Sequence, residues 1–440
     1  MTAVAGTAPD QAPPAPAPPF SARRLLAATE IDLRLFGMLV ALAAILIGFH
    51  IASGYKFLLP VNMVTLAVQA SIVAIMATGM ALIIVSRNID LSVGSILGVV
   101  AMVYALLMSD WLPHFAGIAV DSPFMWVIAL ALGLGLGALI GGVQGFIIAY
   151  IGVPSFIVTL GGLLALRGSV WLLSEGAAVS GLDHTFQLIG GGARGSIGGD
   201  ATWALAVVGS VGIVGLLAYN LRQRQRFGFQ LRPLWAEALL GVLGCVAVIG
   251  VAAFANANLW PAGLASQYAA ERGIIEPPGG LKIPTGLPWP ILLVIGVTMV
   301  MTFLATRLRF GRSVYAYGGN PEAAELAGIN TRWTIMRLYM LMGLLAGIAA
   351  AIAAARLNGS TLEVGQSNEL YVIAACVVGG TSFAGGIGTI PGAVLGAIVM
   401  QSLAYGLAFM GVNSPTTNVV AGIVLIAAVA FDSWNRRRAR

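Results

Sequence analysis

Long apolar runs separated by short polar joints make up most of this chain, and polar residues interrupt the runs at only a few internal points. Runs near the roughly 20 residues that a helix needs to cross a bilayer fall at 35–53, 60–86, 92–108, 124–150, 153–174, 202–221, 235–254, 289–306, 334–355, 369–384, 388–411 and 416–432. The pattern predicts an all-α polytopic membrane protein of about 12 transmembrane helices. Two runs, 92–108 and 369–384, are short and broken by polar or glycine residues. Non-helical backbone at membrane depth is tolerated only against protein or water, so such breaks are where pathways form. The runs 202–221 and 235–254, joined by the basic loop RQRQRFGFQLR, go in and return. Removing the segment 202–254 would leave the orientation of everything else intact, so it reads as a hairpin inserted into a ten-helix core.

Composition agrees with this class. Hydrophobic residues make up 58% of the chain and charged residues 9%, where soluble domains carry about 25% charged residues. The first residues, 1–22, are rich in Pro and Ala and read as a disordered cytoplasmic tail; residues 23–440 form the membrane domain. No positively charged start with a cleavable apolar core precedes the first span, which is expected to act as an uncleaved anchor.

The formal charge of +6 is informative through its distribution. Arginines cluster at 222–232, 307–312, 332–337 and 436–440, all on one side in this reading, while Lys56, Arg167, Arg194, Arg272, Lys282 and Arg356 fall on the other side or at its edge. The positive-inside rule then puts both termini in the cytoplasm. The charge orients the chain, and no nucleic-acid partner is implied.

Three stretches carry candidate chemistry. GGNPEAAELAGIN, Gly318 to Asn330, predicts a short helix of about two turns between two spans, within a cytoplasmic loop 307–333. Asn320 is a favoured N-cap and Pro321 suits the first helical position; Glu322 and Glu325 sit near the positive end of the dipole, and Gly328 can supply the left-handed stop. Ala323, Ala324 and Ala327 leave one side small enough to enter a groove. RNIDLSVGS, Arg87 to Ser95, places Asn88, Asp90, Ser92 and Ser95 at or within the membrane boundary, where an unpaired charge costs a few kcal/mol or more. Either Asp90 caps a helix starting at Leu91 and pairs with Arg87, or this break lines a polar path for hydroxylated substrate. GGTSFAGGIGTIPG, Gly379 to Gly392, repeats the design with Thr381 and Ser382 in the break. Thr159 and Phe156 open the span after the tight turn at Gly152, where Phe156 offers either a stacking surface or plain packing. Glycines recur every fourth residue at Gly133, Gly137, Gly141 and Gly145, and again at Gly388, Gly392 and Gly396. Such ridges let helix backbones approach closely in lipid.

FGRSVYAYGGNPEAAELAGIN together with ELYVIAACVVGGTSFAGGIGTIPGAVLGA, RNIDLSVGS and GVPSFIVTLGGLLALRG resembles, in the same order, the permease subunits of ribose- and xylose-type sugar ATP-binding-cassette importers. The likeness runs from about Asn62 to Asp432, and the length and the loop at 222–235 are most similar to the xylose type. The resemblance implies a multi-pass protein of the bacterial inner membrane that pairs with a second permease copy, as a homodimer. It also implies two cytoplasmic ATP-binding subunits meeting the helix 320–328, and a periplasmic sugar-binding protein docking on the outer loops.

The chain lacks a phosphate loop ending in Gly-Lys-Ser or Gly-Lys-Thr, so ATP hydrolysis would reside on another subunit. Its three histidines are scattered and its two cysteines, Cys245 and Cys376, lie in apolar runs. No metal, cofactor or catalytic residue is expected. An ion-coupled secondary sugar transporter and a passive facilitator remain the alternatives; the former needs ionisable groups inside its spans, for which Asp90, Arg167, Glu175 and Glu369 are the candidates.

Overall fold

The computed structural model describes residues 33–119, 122–229 and 231–439; the tail 1–22, with Arg23 and Arg24, lies outside them. Among the described residues fourteen of the seventeen α-helices carry the architecture: α1 (Leu33–Ala52), α2 (Pro60–Val85), α3 (Val93–Leu106), α4 (Met125–Phe146), α5 (Ser155–Ser174), α6 (Gly199–Arg226), α7 (Leu234–Ala257), α8 (Trp289–Arg307), α9 (Arg309–Gly319), α10 (Pro321–Leu326), α11 (Thr331–Leu357), α12 (Asn368–Val378), α13 (Ile390–Phe409) and α14 (Ser414–Ala439). Among the described residues ten helices are long and apolar enough to cross a membrane, α12 and the described apolar part of α14 being shorter. Each of the twelve apolar runs thus corresponds to a helix. The run at 369–384 is the most truncated, because its helix ends at Val378 and the glycine-rich break begins there.

Helix α11 is the hub. Its second half, AGIAAAIAAA, is almost all small residues, and α4, α3 and α2 close on it. The first glycine ridge is what brings α4 in. A Cβ at Gly137 or Gly141 would collide with the carbonyl of Gly343 or Tyr339, and one at Gly145 would meet Met336 Cα at 2.9 Å. The second ridge works likewise within the chain, Gly392 facing Gly379 and Gly396 facing the Ala375 carbonyl. Both ridges serve intrachain packing.

The hairpin of α6 and α7 packs chiefly on itself and touches the rest through α2 and through Thr202, whose Oγ1 accepts from the Leu287 amide at 2.9 Å. Helices α1, α5, α6 and α7 keep much of their apolar surface outward, the surface that a bilayer covers. A two-residue antiparallel pair, β1 (Val179–Ser180) with β2 (Gly359–Ser360), ties the loop after α5 to the end of α11.

Two helices start inside the bundle. Tyr339, eight residues into α11 and hence about 12 Å along it, places its hydroxyl 3.3 Å from the Ile89 carbonyl. The non-helical stretch 86–92, which opens with a turn at Ser86 and Arg87, therefore runs into the bundle, and α3 begins there. From the other end, the chain after β2 turns back until Gly365 crosses Gly94 with no room for a Cβ on either. There α12 begins, running opposite to α3. The two half-helices meet N-terminus to N-terminus.

Candidate functional site

The re-entrant break is held by its own polar groups. Asp90 Oδ1 accepts from the Ser92 amide at 2.8 Å and from the Ser92 hydroxyl at 2.6 Å. Ser92 Oγ also lies 3.0 Å from Gln144 Oε1 on α4. Thr159 Oγ1 sits 2.8 Å from the Ser155 carbonyl and 3.4 Å from that of Ile89. Asp90, Ser92 and Thr159 are fully buried together. Asp90 Oδ2 has no hydrogen-bond partner among the described residues. Across the Gly94–Gly365 crossing, Glu369 brings its carboxylate against Gly94, and its Oε2 is unpartnered too.

One local expectation is corrected. The helix begins at Val93 with Ser92 as its N-cap, and Asp90 holds that cap residue through its amide and hydroxyl and does not pair with Arg87. Arg87 turns away: its Nε donates to the Gly318 carbonyl and its guanidinium Nη2 to the Gly319 carbonyl, both at 2.7 Å. The physical reason is that the last carbonyls of a helix lack intrahelical partners and carry the negative end of its dipole, so α9 offers a cation a better site than a carboxylate already bonded to Ser92.

The other sequence candidates are dispersed. Ser95 donates to the Leu163 carbonyl of α5 at 3.1 Å. Asn88 bonds back to Ser86. Thr381 and Ser382 are buried in the second break, at the foot of α2. There Gly386 donates to the Val85 carbonyl at 2.9 Å, and Tyr315 Oη donates to the Gly388 carbonyl at 2.7 Å. Phe156 is 53% exposed on the outer side of α5, apart from the cluster.

The short helix α10 forms as its residues dictate. Asn320 Oδ1 accepts from the Ala323 amide at 3.1 Å, Pro321 takes the first position, and Gly328 ends the helix at φ +79°. Glu325 Oε1 accepts from Thr331 Oγ1 at 2.8 Å, fastening α10 to the first turn of α11. Two candidates need correction. Ala324 is only 4% exposed and faces the protein, so it belongs to the anchoring side. Glu325 spends an oxygen internally, which leaves Glu322 as the acid with no fixed partner among the described residues.

Two features were missed. Leu326 is 91% exposed on α10; a single leucine in so apolar a chain carries no signal. Helix α9 lies before α10, with Gly311, Val314 and Gly318 buried and Arg309, Arg312 and Ala316 outward. The spacing of Phe310, Val314 and Tyr317 by three and four residues was the available sign. Burial raises the Tyr317 hydroxyl above its ordinary pKa, with Glu325 adding to the shift and Arg87 opposing it.

On the opposite face, helix Ala262–Glu271 carries Tyr268 under Arg272, 4.6 Å from the ring centroid. Glu271 reaches Arg194 of the loop before α6 at 3.5 Å.

An all-helical bundle with two breaks, tied to a capped surface helix between two spans, is the architecture of a polytopic membrane protein. The chain belongs to the family described as the permease component of branched-chain amino acid transport systems, which it matches over residues 62–429. It is 35% identical over 409 residues to the xylose transport system permease protein XylH of Escherichia coli (strain K12), covering 93% of this chain and 94% of that protein. It is 33% identical to the protein of the same name from Haemophilus influenzae, covering 93% and 98%. It is 30% identical to the ribose import permease protein RbsC of Escherichia coli (strain K12), covering 84% and 85%. No solved structure matches the chain.

Proposed function

We propose that the chain is the membrane subunit of an ATP-driven importer for a monosaccharide, a pentose of the xylose type. The observation that carries this is α10: a helix held by caps at both ends, buried on one side at Ala324 and presenting Leu326 and Glu322 on the other, between two membrane spans. Fixed at both ends and fastened to α11 through Glu325 and Thr331, α10 is a rigid connector whose outward side chains stand clear for a partner. Two cytoplasmic ATP-binding subunits are that partner, one for each copy of a permease homodimer in the inner membrane. Relatives named for xylose and ribose support the substrate class. The outer helix Ala262–Glu271 is the surface on which a periplasmic sugar-binding protein docks.

In this reading closure of the ATPases displaces α10, and the spans on either side of it move with it. The breaks 86–92 and 379–389 then change between open and closed, and Asp90, Ser92, Ser95 and Thr159 meet the hydroxyls of the passing sugar. One observation favours the ion-coupled rival: Asp90 and Glu369 are two buried acids, each with an unpartnered oxygen. Uptake of labelled xylose, ribose and galactose by cells expressing the chain with its ATPase and binding protein tests the proposal. Xylose uptake that survives an uncoupler while ATP is maintained supports it, and loss of uptake under those conditions favours the carrier.

A further inference from the structure

The end of α9 is tied to both polar breaks at once. Arg87, in the first break, holds the carbonyls of Gly318 and Gly319, and Tyr315 holds Gly388 in the second. Between them Gly385 has no room for a Cβ, which would collide with the Gly318 carbonyl and meet Arg87 Nε at 2.9 Å. Asn320 follows at once as the cap of α10, so no slack separates the clasped carbonyls from the helix that faces the cytoplasm.

We infer that Arg87 is the positioning residue that transmits displacement of α10 to the two breaks. The inference rests on the reading of α10 as the ATPase contact. Two chemical facts make Arg87 suited to this. Its guanidinium is a planar fork that engages two adjacent carbonyls in fixed geometry, which a lysine ammonium does not reproduce. Its positive charge meets the negative end of the α9 dipole, so the clasp survives rigid-body movement of α9. The backbone of Arg87 supports the same role: it takes φ +62°, a left-handed conformation costly for a side-chain-bearing residue. That conformation ends α2 and aims the side chain at α9. When α9 and α10 are pushed, Arg87 pulls on the re-entrant stretch that leads to Asp90, while Gly386, bonded to Val85, carries the second break along.

The test uses the complete transporter, permease with ATPase and binding protein, in proteoliposomes, with xylose uptake and ATP hydrolysis read together. Arg87→Lys and Arg87→Met are expected to retain the ATPase and to hydrolyse ATP within about twofold of the parent, while sugar carried per ATP falls about tenfold in Arg87→Lys, which loses one of the two charge-assisted hydrogen bonds, and further in Arg87→Met, which loses both. Unchanged uptake per ATP would overturn the inference, and so would a parallel fall in hydrolysis, retention and uptake. If neither variant assembles, Arg87→Gln, whose side-chain amide can still donate to one of the two carbonyls, takes their place and the same comparison decides. Leu326→Arg is measured alongside. Should it keep the ATPase, the reading of α10 fails; should it lose the ATPase while the Arg87 variants stay fully coupled, the inference alone fails.

Discussion

Gly141 and Tyr339 sit in such close contact that a Cβ on the glycine would overlap the tyrosine carbonyl oxygen. This crossing sets how near α4 comes to α11, and with it the position of Gln144, one turn further along α4 beside Ser92. Gly141→Val is therefore expected to force the helices apart at a cost of about 1–3 kcal/mol. Gly135, on the same helix with nothing near its Cβ position, provides the control. Thermal unfolding in detergent should drop for Gly141→Val and stay put for Gly135→Val; equal behaviour would remove the crossing from the account.

Asp90 is held by hydrogen bonds that an amide oxygen can also accept. Asp90→Asn should preserve the bonds to Ser92 and so the start of α3, whereas Asp90→Ala should cost about 1–2 kcal/mol through loss of the cap. Quantified membrane-inserted protein and its melting temperature distinguish the two. Equal loss in both would mean that the charge, and not the cap, is what the break requires.

Much of this was readable in the chain, for identifiable reasons. Bilayer length imposes a long apolar run on each span, so the runs and helices correspond, and Asn320, Pro321 and Gly328 act locally, so their caps formed where the residues said. What was not readable depends on distant contacts. Arg87 and Asp90 are close in sequence, which invited pairing them, but Arg87 finds carbonyls 231 and 232 residues away. The inward face of α10 at Ala324 is set by packing across the bundle, and six residues are too few for a periodicity to reveal it. Glu369 meets Gly94 only because the chain after β2 re-enters, which no run of polarity announces.

The charge asymmetry predicts that the α6–α7 turn lies in the cytoplasm. A cysteine at exposed Gln225 should react with a membrane-impermeant maleimide only after the cells are opened. A cysteine at Ile275, 93% exposed in the loop before α8, should react in intact cells. The reverse pattern would invert the topology.

On the proposed reading the ATPase meets the side of α10 that bears Leu326, Glu322 and Ala323. Leu326→Arg should leave the fold intact, since the side chain is already in solvent, and surface changes of this kind alter stability by about 0.5 kcal/mol or less. The permease should reach the membrane at parent levels and lose the ATPase on purification. Ala324→Arg, by contrast, places a charge on the anchoring side and should lower the yield of folded permease as well. Retention of the ATPase by Leu326→Arg would show that α10 merely joins two spans.

The most direct test of the whole account is xylose uptake into proteoliposomes holding the permease and its ATPase, with binding protein on one side, ATP on the other and every ion gradient collapsed. The account predicts uptake that continues with ATP and stops without it. Uptake that ignores ATP and returns only when a proton or sodium gradient is imposed would contradict it.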